Sequence, residues 1–200
     1  NSKILFETCI KNNLRNIIFS STAAAYGNPT VSKPINEETS LRPLNPYGQS
    51  KVESENFLIN NNKVKYIIFR YFNVAGADPL LRSGLISKVS THLIKIASEV
   101  ATGKRKRLTI FGRDYPTNDG TAVRDYIHVT DLADIHVKGA EYLLSNKDSI
   151  ILNCGYGKGY SVKEVVENTN ELIDKPIAYE YGSRRSGDAA ILISDNNKLK

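Results

Sequence analysis

Two short apolar runs, Asn16–Ser20 (NIIFS) and Lys65–Arg70 (KYIIFR), constrain the fold more than any other feature of the chain. Each reads as a strand buried on both faces, and strands of that kind belong to parallel sheets covered by helices. A helix is predicted between them. Asn45 offers a capping side chain, and Pro46 opens a helix at the position where its missing N–H costs nothing. That helix should end near Asn60, where Asn60, Asn61 and Asn62 follow one another.

The alternation continues on either side. Ile4–Ile10 has the pattern of a helix already under way at residue 1, so the chain is expected to begin inside an element. Phe72–Gly84 is irregular, with Gly76, Pro79 and Gly84 as breakers. A helix is expected over Leu85–Thr102, an extended segment over Leu108–Phe111, and a loop over Gly112–Gly120 leading to Tyr126, Ile127 and His128. A helix over Asp131–Leu144 carries acidic residues in its first turn, and Ile150–Cys154 is a strand. Ser161 and Glu164 form a capping box that opens a helix to about Ile173, and Ile177–Tyr181 is a last strand. This is an α/β chain with its best candidate boundary near residue 75.

Composition removes some classes of function. With 200 residues, 40% of them hydrophobic, the chain can bury a core as one domain or two small ones. No apolar run approaches the ~20 residues of a membrane helix, and the N-terminus lacks signal-peptide regions, so no membrane partner is expected. Cys9 and Cys154 lie far apart, form no metal-ligand spacing, and read as buried reduced thiols of a cytoplasmic protein. A net charge of +6 suits an anionic ligand without choosing among nucleotide, nucleic acid and acidic protein. The run Lys104–Arg107 has no interleaved aromatics, so it reads as a solvated helix-to-strand turn and no nucleic-acid partner is expected.

Chemistry concentrates in Tyr47-Gly-Gln-Ser-Lys51. Positions i and i+4 share a helix face, so phenol and ammonium point the same way. A phenol titrates near ~10, and a lysine cation beside it favours the phenolate, making a proton acceptor. Alone, the pair could equally be a solvent-facing contact. Upstream, the first strand ends in Ser20-Ser21-Thr22-Ala23-Ala24-Ala25-Tyr26-Gly27. Hydroxyls at the C-terminal end of a parallel strand sit where open α/β sheets bind ligands, although small residues there also suit a plain turn.

The segments SSTAAAYG and NPYGQSK together resemble the extended short-chain dehydrogenase/reductase family. The resemblance implies a catalytic trio of Thr22, Tyr47 and Lys51, with Lys51 also bonding the nicotinamide ribose of NAD. Ser20 and Ser21, at the same strand end, are placed with Tyr47 and Lys51 on the cofactor side. Four more segments are similar to the UDP-glucose 4-epimerases within that family. These are Arg70–Ala77 (RYFNVAGA), Thr91-His92-Leu93, Asp114–Val129 and Arg184-Arg185-Ser-Gly-Asp188.

By that resemblance Tyr71 and Phe72 line the nicotinamide pocket, and Asn73, Arg124 and Arg185 hold the substrate diphosphate. Thr91, His92 and Leu93 touch substrate. Phe111, with Thr109 on the same strand, lies along the uracil, and Asp188 accepts from the uridine ribose. Leu192, four residues beyond Asp188, borders the sugar's 2-substituent and leaves room for an N-acetyl group. The expected fold is the second half of a Rossmann-type parallel sheet (1–75) with a smaller α/β substrate-binding domain (76–200), residues 125–144 packing back on the first.

The implied reaction takes hydride from C4 of a UDP-hexose onto NAD and returns it to the other face, interconverting UDP-glucose and UDP-galactose, in a homodimer. No G-x-x-G-x-x-G loop occurs in the chain, nor the acidic residue for an adenine ribose. The family places both before the point where this chain starts, and a short stretch after Lys200, so the chain alone is expected to be inactive. A sugar-nucleotide dehydratase would need an acidic pair where Ala23 and Ala24 stand. An N-acetylhexosamine or pentose 4-epimerase, and a non-catalytic nucleotide-sugar-binding protein of the same fold, remain as alternatives.

Overall fold

The computed structural model describes residues 1–29, 34–87 and 89–200. Helix α1 (Ser2–Lys11) precedes strand β1 (Asn16–Thr22), and helix α2 (Pro46–Ile59) precedes β2 (Lys65–Tyr71). The two strands pair in parallel, Asn16 opposite Lys65 through Thr22 opposite Tyr71. Strand β6 (Ile150–Cys154) pairs with the far edge of β2, also in parallel, giving the order β1-β2-β6. This strand, well beyond residue 76, therefore belongs to the first sheet. The apolar reading of β1 and β2 was sound because both faces are covered. Phe6, Phe19, Leu58 and Ile68 pack on the α1/α2 side. Ile67, Phe69, Leu132 and Leu143 pack on the other side, beneath helix α4 (Val129–Leu144). Helix α4 contacts both β1 and β2.

The second unit is smaller. Helix α3 (Leu93–Ala101) and helix α5 (Val162–Asn170) cover β4 (Leu108–Phe111) and β8 (Tyr179–Gly182), with Ala97, Leu108, Ile110, Val166 and Ile177 as its core. Between the units, β5 (Val123–His128) pairs with three short strands. These are β3 (Asn73–Ala75), β7 (Gly159–Ser161) and β9 (Ile191–Leu192).

Local signals placed most elements. Asn45 Oδ1 accepts from Gly48 N at 2.8 Å, and both bonds of the Ser161–Glu164 capping box form. The run Lys104–Arg107 is the turn between α3 and β4, where Arg105 pairs with Glu99 and Arg107 with Glu180. The helix expected over Leu85–Thr102 begins only at Leu93, capped by extended His92; Lys88 lies outside the described residues. Leu85, Ile86 and Val89 imitate a helical stripe, but they are 44%, 90% and 86% exposed and have no core to face. The Ile177–Tyr181 strand starts at Tyr179 and is not the last, since β9 follows. Cys154 is buried as expected, whereas Cys9 is only partly covered on α1. No helix among the described residues is long and apolar enough to cross a membrane.

Candidate active site

The C-terminal ends of β1 and β2 open into a cavity of about 500 Å³ whose far walls come from α3, β4, β5, β9 and the turn before β9. Thr22 closes β1. Its Oγ1 accepts from Ala24 N at 3.2 Å and so caps the 3₁₀ turn Ala23–Tyr26. One lone pair is so engaged, and the hydroxyl proton and the second lone pair are left for a ligand.

Helix α2 brings Tyr47 to the same cavity, 56% exposed. The approach depends on Gly48, since a Cβ there would lie 2.7 Å from Ala24 O and 2.9 Å from Pro43 Cβ. One turn on, Lys51 Nζ stands 5.8 Å from the Tyr47 ring centroid and donates to Ser20 O at 2.8 Å. The i,i+4 pair of the sequence is thus real. Lys51 itself, like Ser20, lies outside the cavity lining.

Next to the elements that carry Thr22, Tyr47 and Lys51 is a buried polar network. Arg70 grips Glu55 through Nη2 at 2.6 Å and donates from Nη1 to Tyr26 Oη at 2.9 Å. Tyr26 Oη donates to Asn153 Oδ1 at 2.7 Å. Burial pushes the Tyr26 phenol up to about 12, so it remains a donor despite the neighbouring guanidinium. Ser21 completes the network by donating to Glu55. The hydroxyl of Ser21 is therefore used in the core, while the residue also lines the cavity.

The second sheet position beside the trio belongs to Tyr71 and Phe72. Tyr71 lines the cavity, and burial pushes its phenol upward, partly offset by its bond with Ser20. Phe72 is buried and forms the wall behind Asn73, which is exposed on β3. Thr91, His92 and Leu93 line the cavity at the N-terminus of α3. His92 makes no side-chain cap there, so the first-turn N–H groups are left for another partner.

Opposite, Arg124 on β5 donates to Val123 O at 2.8 Å but makes no ion pair among the described residues. Burial works against its charge and lowers its pKa, with the negative charge of Asp188 opposing that effect. Two buried phenols nearby, Tyr126 Oη and Tyr115 Oη, have no hydrogen-bond partner among the described residues. Burial pushes Tyr126 up to about 12 and raises Tyr115 as well, so both remain donors. Arg185 lies over the Phe111 ring at 4.9 Å and bonds Asp188 at 2.9 Å. The two residues assigned to phosphate and ribose therefore hold each other in this structure. Thr109, Phe111 and Leu192 complete the wall, with Leu192 in register beside Arg124.

The Arg124 guanidinium, the unpartnered Tyr126 phenol and the uncapped N-terminus of α3 line one cavity and make a site for a multiply charged anion. Tyr126 was legible in principle, two residues from Arg124 and on the same strand face. Tyr115, Glu55 and Asn153 carried no such signal.

A parallel sheet whose strand-end hydroxyls face a helical Tyr–Lys pair defines a Rossmann-type, dinucleotide-dependent class of protein. Residues 2–155 match the model of the NAD dependent epimerase/dehydratase family, and the chain belongs to that family. It is 44% identical over 203 residues to a UDP-glucose 4-epimerase of Azospirillum brasilense, covering all of this chain and 58% of the relative. It is similar in structure to the UDP-glucose 4-epimerase of Bifidobacterium longum in complex with NAD⁺ and UDP. The TM-score is 0.92 at 38% identity, over 98% of this chain and 60% of that one. A UDP-Glc/GlcNAc 4-epimerase from Campylobacter jejuni matches with TM-score 0.74 and 43% identity, over 99% and 61% of the two chains. The chain thus spans about three-fifths of the length of these relatives.

Proposed function

We propose that the protein to which this chain belongs is an NAD-dependent UDP-sugar 4-epimerase that interconverts UDP-glucose and UDP-galactose. The observation that carries the reading is that one cavity is lined both by Thr22 and Tyr47 and by Arg124, Arg185 and the N-terminus of α3. The first set suits proton transfer at a sugar hydroxyl, the second the diphosphate of a nucleotide.

The chain's own residues fit the nicotinamide end of the cofactor. Lys51 donates to Ser20 O and has two further N–H bonds to offer a ribose. Tyr71 and Phe72 give that end a flat aromatic wall. When bound, NAD supplies the reversible two-electron oxidation of the sugar carbon. Tyr47 accepts the proton of the C4 hydroxyl, and Thr22, its oxygen held by Ala24 N, offers its own proton to the same sugar oxygen. Arg124, Arg185, Tyr126 and the α3 N-terminus grip the nucleotide, leaving the 4-keto sugar free to turn before Tyr47 returns the proton. Ala23 and Ala24 provide no acid for water elimination, which disfavours a dehydratase.

A wider substrate range is supported by Leu192 in the cavity wall and by the likeness to the Campylobacter jejuni enzyme. The direct test is to assay the full-length protein with UDP-galactose, UDP-N-acetylgalactosamine and a UDP-pentose. Turnover of UDP-galactose to UDP-glucose is expected, and binding of UDP-sugars without any turnover would overturn the enzymatic reading.

A further inference from the structure

One side chain reaches the catalytic end from α4 and takes no part in the reaction as derived. The His136 ring lies 4.9 Å from the Phe69 ring, centroid to centroid, at the end of β2. Its Nδ1 is 2.7 Å from Leu132 O, which can only accept, so Nδ1 carries a proton. Its Nε2 is 2.5 Å from Tyr71 Oη, and Tyr71 Oη is 2.6 Å from Ser20 Oγ. The carbonyl of the same Ser20 accepts from Lys51 Nζ at 2.8 Å. Hydrogen bonds therefore run α4–β2–β1 from His136 through Tyr71 to the Ser20 hydroxyl, and Lys51 on α2 holds the backbone carbonyl of the same residue.

The Tyr71 hydroxyl has one proton for two neighbours. With a neutral imidazole, Nε2 accepts from Tyr71, and Ser20 Oγ must donate to Tyr71. With a charged imidazole, Nε2–H donates to Tyr71, Tyr71 donates to Ser20 Oγ, and Ser20 keeps its proton, now free to point to another acceptor. One proton gained at Nε2 reverses two bonds, and no other atom changes its proton count. Burial keeps the Tyr71 phenol protonated in either arrangement, so it serves as the joint of the path.

We propose that His136 is a positioning residue of the site: through Tyr71 it sets the direction of the Ser20 hydroxyl and fixes the Tyr71 ring in the cavity wall that Tyr47 shares. His136 itself lies outside the cavity lining. The catalytic consequence rests on the epimerase reading, whereas the hydrogen-bond path does not.

Two measurements on the full-length, NAD-loaded protein decide the matter. His136→Phe is expected to lower kcat, counted per folded active site, about 10-fold with KM for the UDP-sugar changed less than about 2-fold. His136→Gln, which keeps an acceptor for Tyr71, should restore most of the rate. Tyr71→Phe should be no worse when His136→Phe is added, because both break one path. A folded His136→Phe protein with wild-type kcat, or additive losses in the double variant, would overturn the proposal. Independently of turnover, nitrogen NMR of the His136 imidazole should show Nδ1 protonated and the Nε2 resonance displaced by Tyr71→Phe; an unresponsive Nε2 would also overturn it. If the wild type epimerises no UDP-sugar, the functional reading fails while this NMR comparison still decides the path.

Discussion

Tyr47 and Tyr71 are both phenols facing one cavity, and their surroundings separate their roles. Tyr71 is held by Ser20 and His136 and kept protonated by burial, so it is a donor and a wall. Tyr47 is exposed, on the face of α2 that carries Lys51, and is the residue in position to accept a proton. In the full-length protein Tyr47→Phe should lower kcat by at least ~100-fold with UDP affinity little changed, the scale of a lost general base. Near-normal turnover would remove Tyr47 from the mechanism. Leu192 poses a question of size at the other wall. Leu192→Tyr should reduce turnover of N-acetylated UDP-sugars relative to plain ones by about 10-fold or more, as expected when bulk enters a pocket that had room. An unchanged ratio would show that Leu192 does not border the 2-substituent. Both residues were legible in the sequence because their motifs fix them to a helix face or a fixed offset. The partners that distinguish Tyr71 from Tyr47 were not, since Ser20 and His136 meet only after β1, β2 and α4 have assembled.

Helix α2 shows how an element places the site and where stability is concentrated. It meets the Ala23–Tyr26 turn through Gly48 and the buried network through Glu55, two turns further along its length. Glu55→Gln removes the charge opposite Arg70 while keeping the shape, and leaves a guanidinium 3% exposed without its counter-ion. Breaking such a buried pair typically costs about 3–5 kcal/mol. A chemical-denaturation midpoint for Glu55→Gln within error of the wild type would contradict that. A gentler element-level prediction concerns Asp119, which ties the loop before β5 to α5. Burial acts to raise its pKa, but bonds from Ser161 and Thr121 hold it below the usual carboxylate range. A depressed folded pKa gives stability that is present above the unfolded value and lost as pH falls through the folded one. The stability difference between wild type and Asp119→Asn should therefore be full at neutral pH and vanish in acid; a difference independent of pH would contradict the assignment. The sequence revealed elements with strong local signals, such as the Asn45 cap and the Ser161 capping box. It did not reveal β3, β7 and β9, because strands of two or three residues carry no periodicity and exist only through pairing with β5.

At the scale of the whole molecule, one cavity gathers side chains from two groups of elements. Thr22 and Tyr47 come from the β1-β2-β6 sheet and its helix, whereas Thr91, Phe111 and Arg185 come from the α3/β4/β8 side. The sequence order of the motifs announced both sets, but not that β6 would return to the first sheet, because strand pairing is non-local. If a nucleotide lies across the cavity, as proposed, it bonds both groups of elements, and its binding should appear as global stability. At a UDP concentration about 100-fold above Kd, linkage gives ~2.7 kcal/mol of added stability. Arg124 makes no ion pair among the described residues, and the proposed function gives it the ligand phosphate as its partner. Losing that charge-assisted contact in Arg124→Ala should weaken binding by about 1.5–3 kcal/mol. At the same UDP concentration the stabilisation should then shrink to about 0.3–1.3 kcal/mol. Tyr47→Phe, which alters the proton acceptor and no phosphate contact, should keep nearly the full shift. Thermal melts of the three full-length proteins with and without UDP test this division directly. Equal shifts for wild type and Arg124→Ala would mean that Arg124 is held by the protein alone, and that the diphosphate lies elsewhere in the cavity.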